Sequence, residues 1–265
     1  MNKKFNLKFL SLNCNGLIKI TSKTNADSAF VKHLKQQNPH LIAIQESHAA
    51  TEHIQSSLNF QFNTQSSIWT PHCSLVSMVP EIQLIPLKIT TDQHVIFAKV
   101  THISLFFDPI YVMVIYAPAS TMTAKYQFYS HILNDFASQF NDPTICDKLI
   151  MAGDFNYDIH KHDYTLNAPF DWHSLLFNSF IDCIRDIDPQ LDITTFRRGT
   201  HTYSLLDYIY AGSALRTCAH SPDIQYLKKS WSDHALLIIE FTFLSSQHGK
   251  GTWRANPTLT ILKDF

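Results

Sequence analysis

Short apolar runs that stop abruptly at a polar residue recur along this chain. Phe5 to Leu12 alternates apolar and polar positions and stops at Asn13-Cys14-Asn15-Gly16, which predicts a strand entering a turn. Asn25 to Gln37 carries Ala29, Phe30 and Leu34 on one side and ends at Asn38-Pro39, the pattern of a helix with its stop signal. Leu41 to Gln45 is wholly apolar up to its last residue and predicts a buried strand. Three more strand-like runs follow, Ser74–Val79, His94–Val100 and Ile110–Tyr116. Thr123 to Phe140 is the longest helical pattern, with Tyr126, Tyr129, Ile132, Leu133 and Phe136 near helical spacing. Leu149–Ala152 returns to strand, and Trp172–Phe180 predicts a helix. Thr194–Phe196, Thr202–Tyr210, Ile224–Leu227 and Ala235–Phe243 predict strands.

Helices alternate with strands over the first 180 or so residues, and β-structure dominates the rest, with no internal repeat. The composition changes at Ser245, where a polar, glycine-containing stretch begins. The expected organisation is therefore one domain over residues 1–244 and a linker-like tail over 245–265. Several strand ends carry chemistry: Asn13 and Asn15 after the first, Glu46 after Leu41–Gln45, and Asp154 and Asn156 after Leu149–Ala152. Asp207 follows Ser204-Leu205-Leu206, and Ser232-Asp233-His234 precedes the last strand. Carboxylates, amides and a histidine delivered to one rim of an α/β domain suit Mg²⁺-assisted phosphoester cleavage.

Composition narrows this reading. Hydrophobic residues make up 45% and charged residues 16% of the 265, which excludes a disordered chain. The net charge is −1, so a nucleic acid has to be gripped by local patches such as Lys3/Lys4/Lys8, Arg197/Arg198 or Lys228/Lys229. Each of these is also an ordinary solvated surface in the plainer reading. Five scattered cysteines without a C-x-x-C argue for reduced thiols in an intracellular protein and against a zinc site. No stretch approaches the roughly 18 apolar residues of a membrane span, and no signal peptide is evident.

The polar blocks, in order, resemble the endonuclease/exonuclease/phosphatase superfamily. They are Leu12-Asn13-Cys14-Asn15-Gly16, Ile44-Gln45-Glu46, Ile115-Tyr116-Ala117-Pro118, Gly153-Asp154-Phe155-Asn156, Leu206-Asp207-Tyr208 and Ser232-Asp233-His234. Within it, His201-Thr202-Tyr203-Ser204 before Asp207 is similar to the matching run in endonuclease domains of non-LTR (LINE) retrotransposons. Gly249-Lys250-Gly251-Thr252-Trp253-Arg254-Ala255-Asn256 resembles the segment that leads from such a domain to a reverse transcriptase. The resemblance implies a DNase I-like fold: an α/β four-layer sandwich of two packed mixed β-sheets flanked by helices. It implies a nuclease that nicks one strand of double-stranded DNA with Mg²⁺ (or Mn²⁺), leaving 3′-hydroxyl and 5′-phosphate. A nuclear protein fused to a reverse transcriptase follows from the same likeness. An abasic-site endonuclease or another phosphoesterase of the superfamily is the alternative, and a catalytically silent DNA-binding module is a third.

By the same resemblance Glu46 binds the metal, with Asn15 and Asp233 completing its shell. Asp154 orients or deprotonates the attacking water, and Asn156 aims at the same phosphate. Asp207 fixes the tautomer of His234, which donates to the phosphate; Tyr116 supports the leaving group, and Asn13 bonds the site's histidine or carboxylates. Thr195-Phe196-Arg197-Arg198-Gly199 reads as a hairpin turn. In LINE endonucleases the matching hairpin is implicated in target choice, which makes Thr195, Arg197, Arg198 and Ser204 candidate DNA contacts. Two features depart from the family pattern: Leu205 stands where Arg or Lys is frequent, and residues 72–79 lack the usual glycine.

Overall fold

A computed structural model describes residues 4–17, 26–186, 193–199 and 201–244. In chain order these form β1 (Lys4–Asn13), α1 (Ala26–Gln36), β2 (Leu41–Gln45), α2 (Glu52–Phe62), β3 (Ser67–Trp69), β4 (Cys73–Ser77) and β5 (Ile82–Ile89). Then come β6 (Val95–His102), β7 (Ile110–Tyr116), α3 (Met122–Asp135), α4 (Ala137–Phe140), α5 (Pro143–Cys146) and β8 (Leu149–Asp154). The remainder is α6 (Phe170–Ser179), β9 (Phe180–Asp182), β10 (Phe196–Arg198), β11 (Thr202–Ser204), β12 (Asp207–Gly212), β13 (Ala219–Tyr226) and β14 (Ala235–Leu244).

Two six-stranded sheets result, ordered β13-β14-β1-β2-β4-β3 and β5-β6-β7-β8-β12-β9. Each is mixed in the same way. A parallel pair at its centre, β1 with β2 or β7 with β8, is bounded by antiparallel neighbours. Side-chain alternation along these central strands feeds two different cores. Phe9, Ala43, Val112, Val114, Ile150 and Ala152 point between the sheets. Met113, Ile115, Leu149 and Met151 pack outward among Phe128, Tyr129, Ile132 and Trp172 of α3 and α6. Leu10, Ile42 and Ile44 pack outward among Phe30, Leu34, Leu58 and Phe62 of α1 and α2. The layers are therefore helix, sheet, sheet, helix, which is the four-layer sandwich expected from the sequence. Strands buried on both faces explain why Leu41–Gln45 and Leu149–Ala152 read as unbroken apolar runs.

Two expectations need correction. Thr123–Phe140 is two helices, because the chain leaves helical geometry at Phe136 (φ −116°, ψ 18°), whose ring is fully buried against Phe97. Thr202–Tyr210 is two strands in different sheets. The chain turns at Leu205-Leu206, where the Leu206 carbonyl accepts the Phe155 amide at 2.8 Å. The tail over 245–265, including its resemblance to a reverse-transcriptase linker, lies outside the described residues. Among the described residues no helix is long and apolar enough to cross a membrane.

Candidate active site

The two central parallel pairs end at the same rim of the sandwich. In register, Asn13 lies beside Gln45 and Tyr116 beside Asp154, so four strand ends from two sheets deliver polar groups to one place. The Asn13 amide is the bridge between sheets: its Nδ2 donates to Glu46 Oε1 at 3.0 Å and to Asp154 Oδ2 at 2.9 Å. Its Oδ1 accepts the backbone N–H of Asn15 at 3.0 Å. The Tyr116 hydroxyl donates to Glu46 Oε1 at 2.8 Å, a second bond across the sheets. Burial raises the phenol's pKa, and the hydrogen bond and charge of Glu46 add to that rise.

Local backbone geometry turns these side chains inward. Gly153 has φ +148°, and a Cβ there would stand 1.9 Å from the Ile115 carbonyl oxygen, so only glycine lets β8 pass β7 just before Asp154. Asn15, Glu46 and Asn156 all take left-handed φ values, 47°, 52° and 55°. Such residues cost on the order of 1 kcal/mol each and gather at functional sites. Asn156 is held by its own N–H to Asp154 Oδ1 (2.8 Å) and by Nδ2 to the Ala117 carbonyl (2.7 Å).

The last two groups arrive from opposite sheets. Asp207 opens β12 beside Asp154, and His234 immediately precedes β14. His234 Nδ1 lies 2.8 Å from Asp207 Oδ2, and its Nε2 faces Asp154 Oδ2 at 3.9 Å. The Ser232 hydroxyl accepts the His234 amide and donates to the Asn13 carbonyl, at 2.9 and 2.6 Å. Burial on its own would lower the pKa of His234. The charge and hydrogen bond of Asp207 outweigh it, with help from Asp154 and Asp233, and hold the imidazole up at about 10. Burial, followed by the charge of Asp207, raises the Asp154 carboxyl, while His234, Asn13 and Asn156 oppose the rise. The imidazole thus lies between two carboxyl groups, bonded to Asp207 and facing Asp154, an arrangement that favours its protonated form.

Asn13, Glu46, Tyr116, Asp154, Asn156, Asp207 and His234 thus meet. Asn15 is exposed at the rim, and half-buried Asp233 contributes its charge to His234 and its carbonyl to the Arg197 amide at 2.9 Å. Among the DNA-contact candidates, Arg198 is exposed and Ser204 half-buried. The Arg197 guanidinium lies over the Tyr226 ring at 3.2 Å. Thr195 is only 1% exposed, so it stands behind the surface rather than on it. Leu205 is buried in the outer core.

The chain matches the Endonuclease/Exonuclease/phosphatase family over residues 10–234. It belongs to that family. Solved structures of similar fold include an AP endonuclease from Archaeoglobus fulgidus (18% identity, TM-score 0.66), covering 89% of this chain and 99% of that one. The endonuclease domain of TRAS1, a telomere-specific non-LTR retrotransposon, matches at 13% identity and TM-score 0.60, covering 89% and 98%. The 3′ phosphatase NExo from Neisseria matches at 17% and 0.64, covering 89% and 99%. No curated protein matches by sequence.

Members of this family depend on a divalent metal, and the donor set here fits a hard cation. Glu46 ends a buried strand, and among the described residues no Lys, Arg or His pairs with it. Carboxylate and amide oxygens are what such ions take. Asp154, Asp207 and His234 form the one group of acidic and histidine side chains, among the described residues, close enough together to hold an ion. Both ring nitrogens of His234 face carboxylates, Nδ1 toward Asp207 and Nε2 toward Asp154, which leaves the carboxylates and Asn15 as the donors.

Three neighbours escaped the sequence reading. Lys125, in the first turn of α3, is half-buried; burial lowers its pKa and the charge of Asp154 opposes this. His94 stacks on Tyr116 (5.3 Å, 10°) and bonds its carbonyl through Nδ1 at 2.6 Å. His72 stacks in turn on His94 at 4.0 Å. A helix lysine and two scattered histidines carry no local signal; only the packing brings them to the rim.

Proposed function

We propose that this chain is a Mg²⁺- or Mn²⁺-dependent DNA endonuclease that nicks one strand of duplex DNA, leaving 3′-hydroxyl and 5′-phosphate. On this reading it acts in the nucleus as the front end of a LINE-type protein fused to a reverse transcriptase, and its nick primes reverse transcription. The observation that carries the reading is the buried line of Asp207, His234 and Asp154, with Asn13 joining Asp154 to Glu46. The sequence runs His201–Ser204 and Gly249–Asn256 favour the LINE branch.

The residues divide the work. Asp154, fixed by Asn13 and Asn156 and with its carboxyl raised above the usual range, accepts the proton of the attacking water. His234, kept protonated by Asp207, donates to a phosphate oxygen and to the charge that develops there. Tyr116, anchored to Glu46 and stacked on His94, presents its hydroxyl beside the same oxygens. Glu46, with Asn15 and Asp233 toward the rim, would hold the metal, which when bound supplies Lewis-acid neutralisation of the phosphate.

Asp154→Ala and His234→Ala are each expected to abolish plasmid nicking while leaving the melting temperature within a few degrees. Nicks made by the unaltered protein should be sealed by DNA ligase, as 3′-hydroxyl and 5′-phosphate ends require. Full nicking by either variant overturns the assignment of roles. A preference for abasic over intact duplex by orders of magnitude would move the protein to the repair branch.

A further inference from the structure

Thr195 sits at the foot of the β10–β11 hairpin, and every polar group of it that faces the site is engaged there. Its N–H donates to the Ser204 carbonyl (3.0 Å), closing the hairpin, and its carbonyl accepts the Ala235 N–H (2.6 Å), one residue past His234. Its hydroxyl accepts two backbone N–H groups, from Leu206 at 2.9 Å and from Asp207 at 3.0 Å. One buried residue therefore grips Asp207 by its side chain and the His234 segment by its main chain. The next two hairpin residues repeat the attachment. Phe196 bridges to His234 and lays its ring 4.9 Å from the imidazole, and the Arg197 N–H donates to the Asp233 carbonyl at 2.9 Å.

These contacts matter because the Asp207–His234 bond joins opposite sheets and no strand pairing fixes its length. Asp207 starts β12, so the direction of its side chain depends on the peptide that enters it, and Thr195 Oγ1 holds that peptide. We propose that Thr195 is a positioning residue that locks the β10–β11 hairpin to the Asp207–His234 pair, so that the hairpin's placement sets the alignment of the pair. The hydroxyl acts inward on the site and not outward on DNA. Supporting groups of this kind typically act through geometry, and a misplacement of about 1 Å can cost about 100-fold in rate.

The test uses the full chain with Thr195→Val, which keeps the shape and removes the acceptor, and Thr195→Ser, which keeps the acceptor. In the metal-free, DNA-free protein, hydrogen exchange at the Leu206 and Asp207 amides should quicken by about tenfold or more in the Val variant and stay slow in Ser. The downfield proton signal of the His234 imidazole N–H bonded to Asp207 should shift or broaden in Val and be kept in Ser. The activity arm rests on the proposed nuclease reading: kcat for nicking should fall by about 10- to 100-fold in Val with KM for DNA nearly unchanged, and Ser should restore it. If Val does not fold, Thr195→Ala, where water can reach the two amides, is measured the same way with the same expectations. Unchanged exchange and an unchanged imidazole signal in a folded Val or Ala variant overturn the proposal. So does a raised KM with kcat intact, which would make Thr195 a DNA contact. A chain that nicks no DNA at all removes the nuclease reading, and the exchange and imidazole measurements still decide the role of Thr195.

Discussion

His173 and His234 are both buried, at 1% and 7% exposure, yet their surroundings drive the two rings to opposite charge states. His234 meets two carboxylates and is held protonated. His173, on α6, meets the Tyr157 hydroxyl at 3.2 Å and a wall of aromatic rings, and burial pushes its pKa down to about 4. Between the ordinary value and that one, the unfolded chain binds a proton that the folded chain refuses. Stability from this residue is therefore fully present above about pH 6.5 and is lost as the pH falls toward 4. Urea unfolding should show a loss of about 2 kcal/mol from this residue between pH 7.5 and 5. His173→Gln should flatten that acid limb, and an equally steep limb in the variant would assign the acid sensitivity to other groups. Lys125 is the matching case at the rim. A half-buried ammonium near Asp154 has two uses: to temper the carboxylate cluster or to meet a substrate phosphate. Lys125→Met keeps the stem and removes the charge; nicking at subsaturating DNA should fall by about tenfold or more, the worth of one charge-assisted hydrogen bond.

Among the elements, the β10–β11 hairpin separates its two arginines into different tasks. Arg197 is half-buried, with its guanidinium over Tyr226, whose hydroxyl donates to the Thr194 carbonyl at 2.8 Å. Arg198 is exposed beside Gly199, at φ +68°. Arg198→Ala should weaken DNA binding and lower the salt slope of log K by about one, with the melting temperature unchanged. Arg197→Ala should instead lower the melting temperature, because it removes a stacked contact that pins the hairpin to β13. Reversed outcomes would exchange the two roles. Spacing in the sequence made this hairpin visible as a turn between strands, but it could not show which arginine lies flat on a ring. α2 lies outside the elements predicted from the sequence, although its signal is local and legible. Thr51, whose hydroxyl caps the Ile54 amide at 3.3 Å, and Ile54, Leu58 and Phe62 at four-residue intervals were a readable helix signal. β5 was harder to read, because an edge strand carrying Pro86 and a bulge lacks alternation.

At the scale of the whole molecule, the site is a seam between two sheets. The Asn13–Asp154, Tyr116–Glu46 and His234–Asp207 contacts each join a residue of one sheet to a residue of the other. Strand ends made the members legible, since a buried run ending in Asn13, Glu46, Tyr116 or Asp154 is visible in sequence. Their mutual bonds were not, because they depend on how two sheets of non-local strands face one another. A seam lined with Glu46, Asp154 and Asp207 brings acidic groups together, and a divalent ion bound there would relieve their repulsion. Mg²⁺ should therefore stabilise the domain by RT ln(1 + [Mg²⁺]/Kd), or about 2.7 kcal/mol at 100 times Kd, and raise its melting temperature accordingly as a single transition. Glu46→Gln keeps both hydrogen bonds to the side chain possible and removes one negative charge. Without metal it should melt at or above the temperature of the unaltered protein, and it should lose most of the Mg²⁺ response. Calorimetry with and without Mg²⁺ checks both halves. A Glu46→Gln variant that keeps the full Mg²⁺ shift would move the ion away from Glu46, toward Asp154 and Asp207.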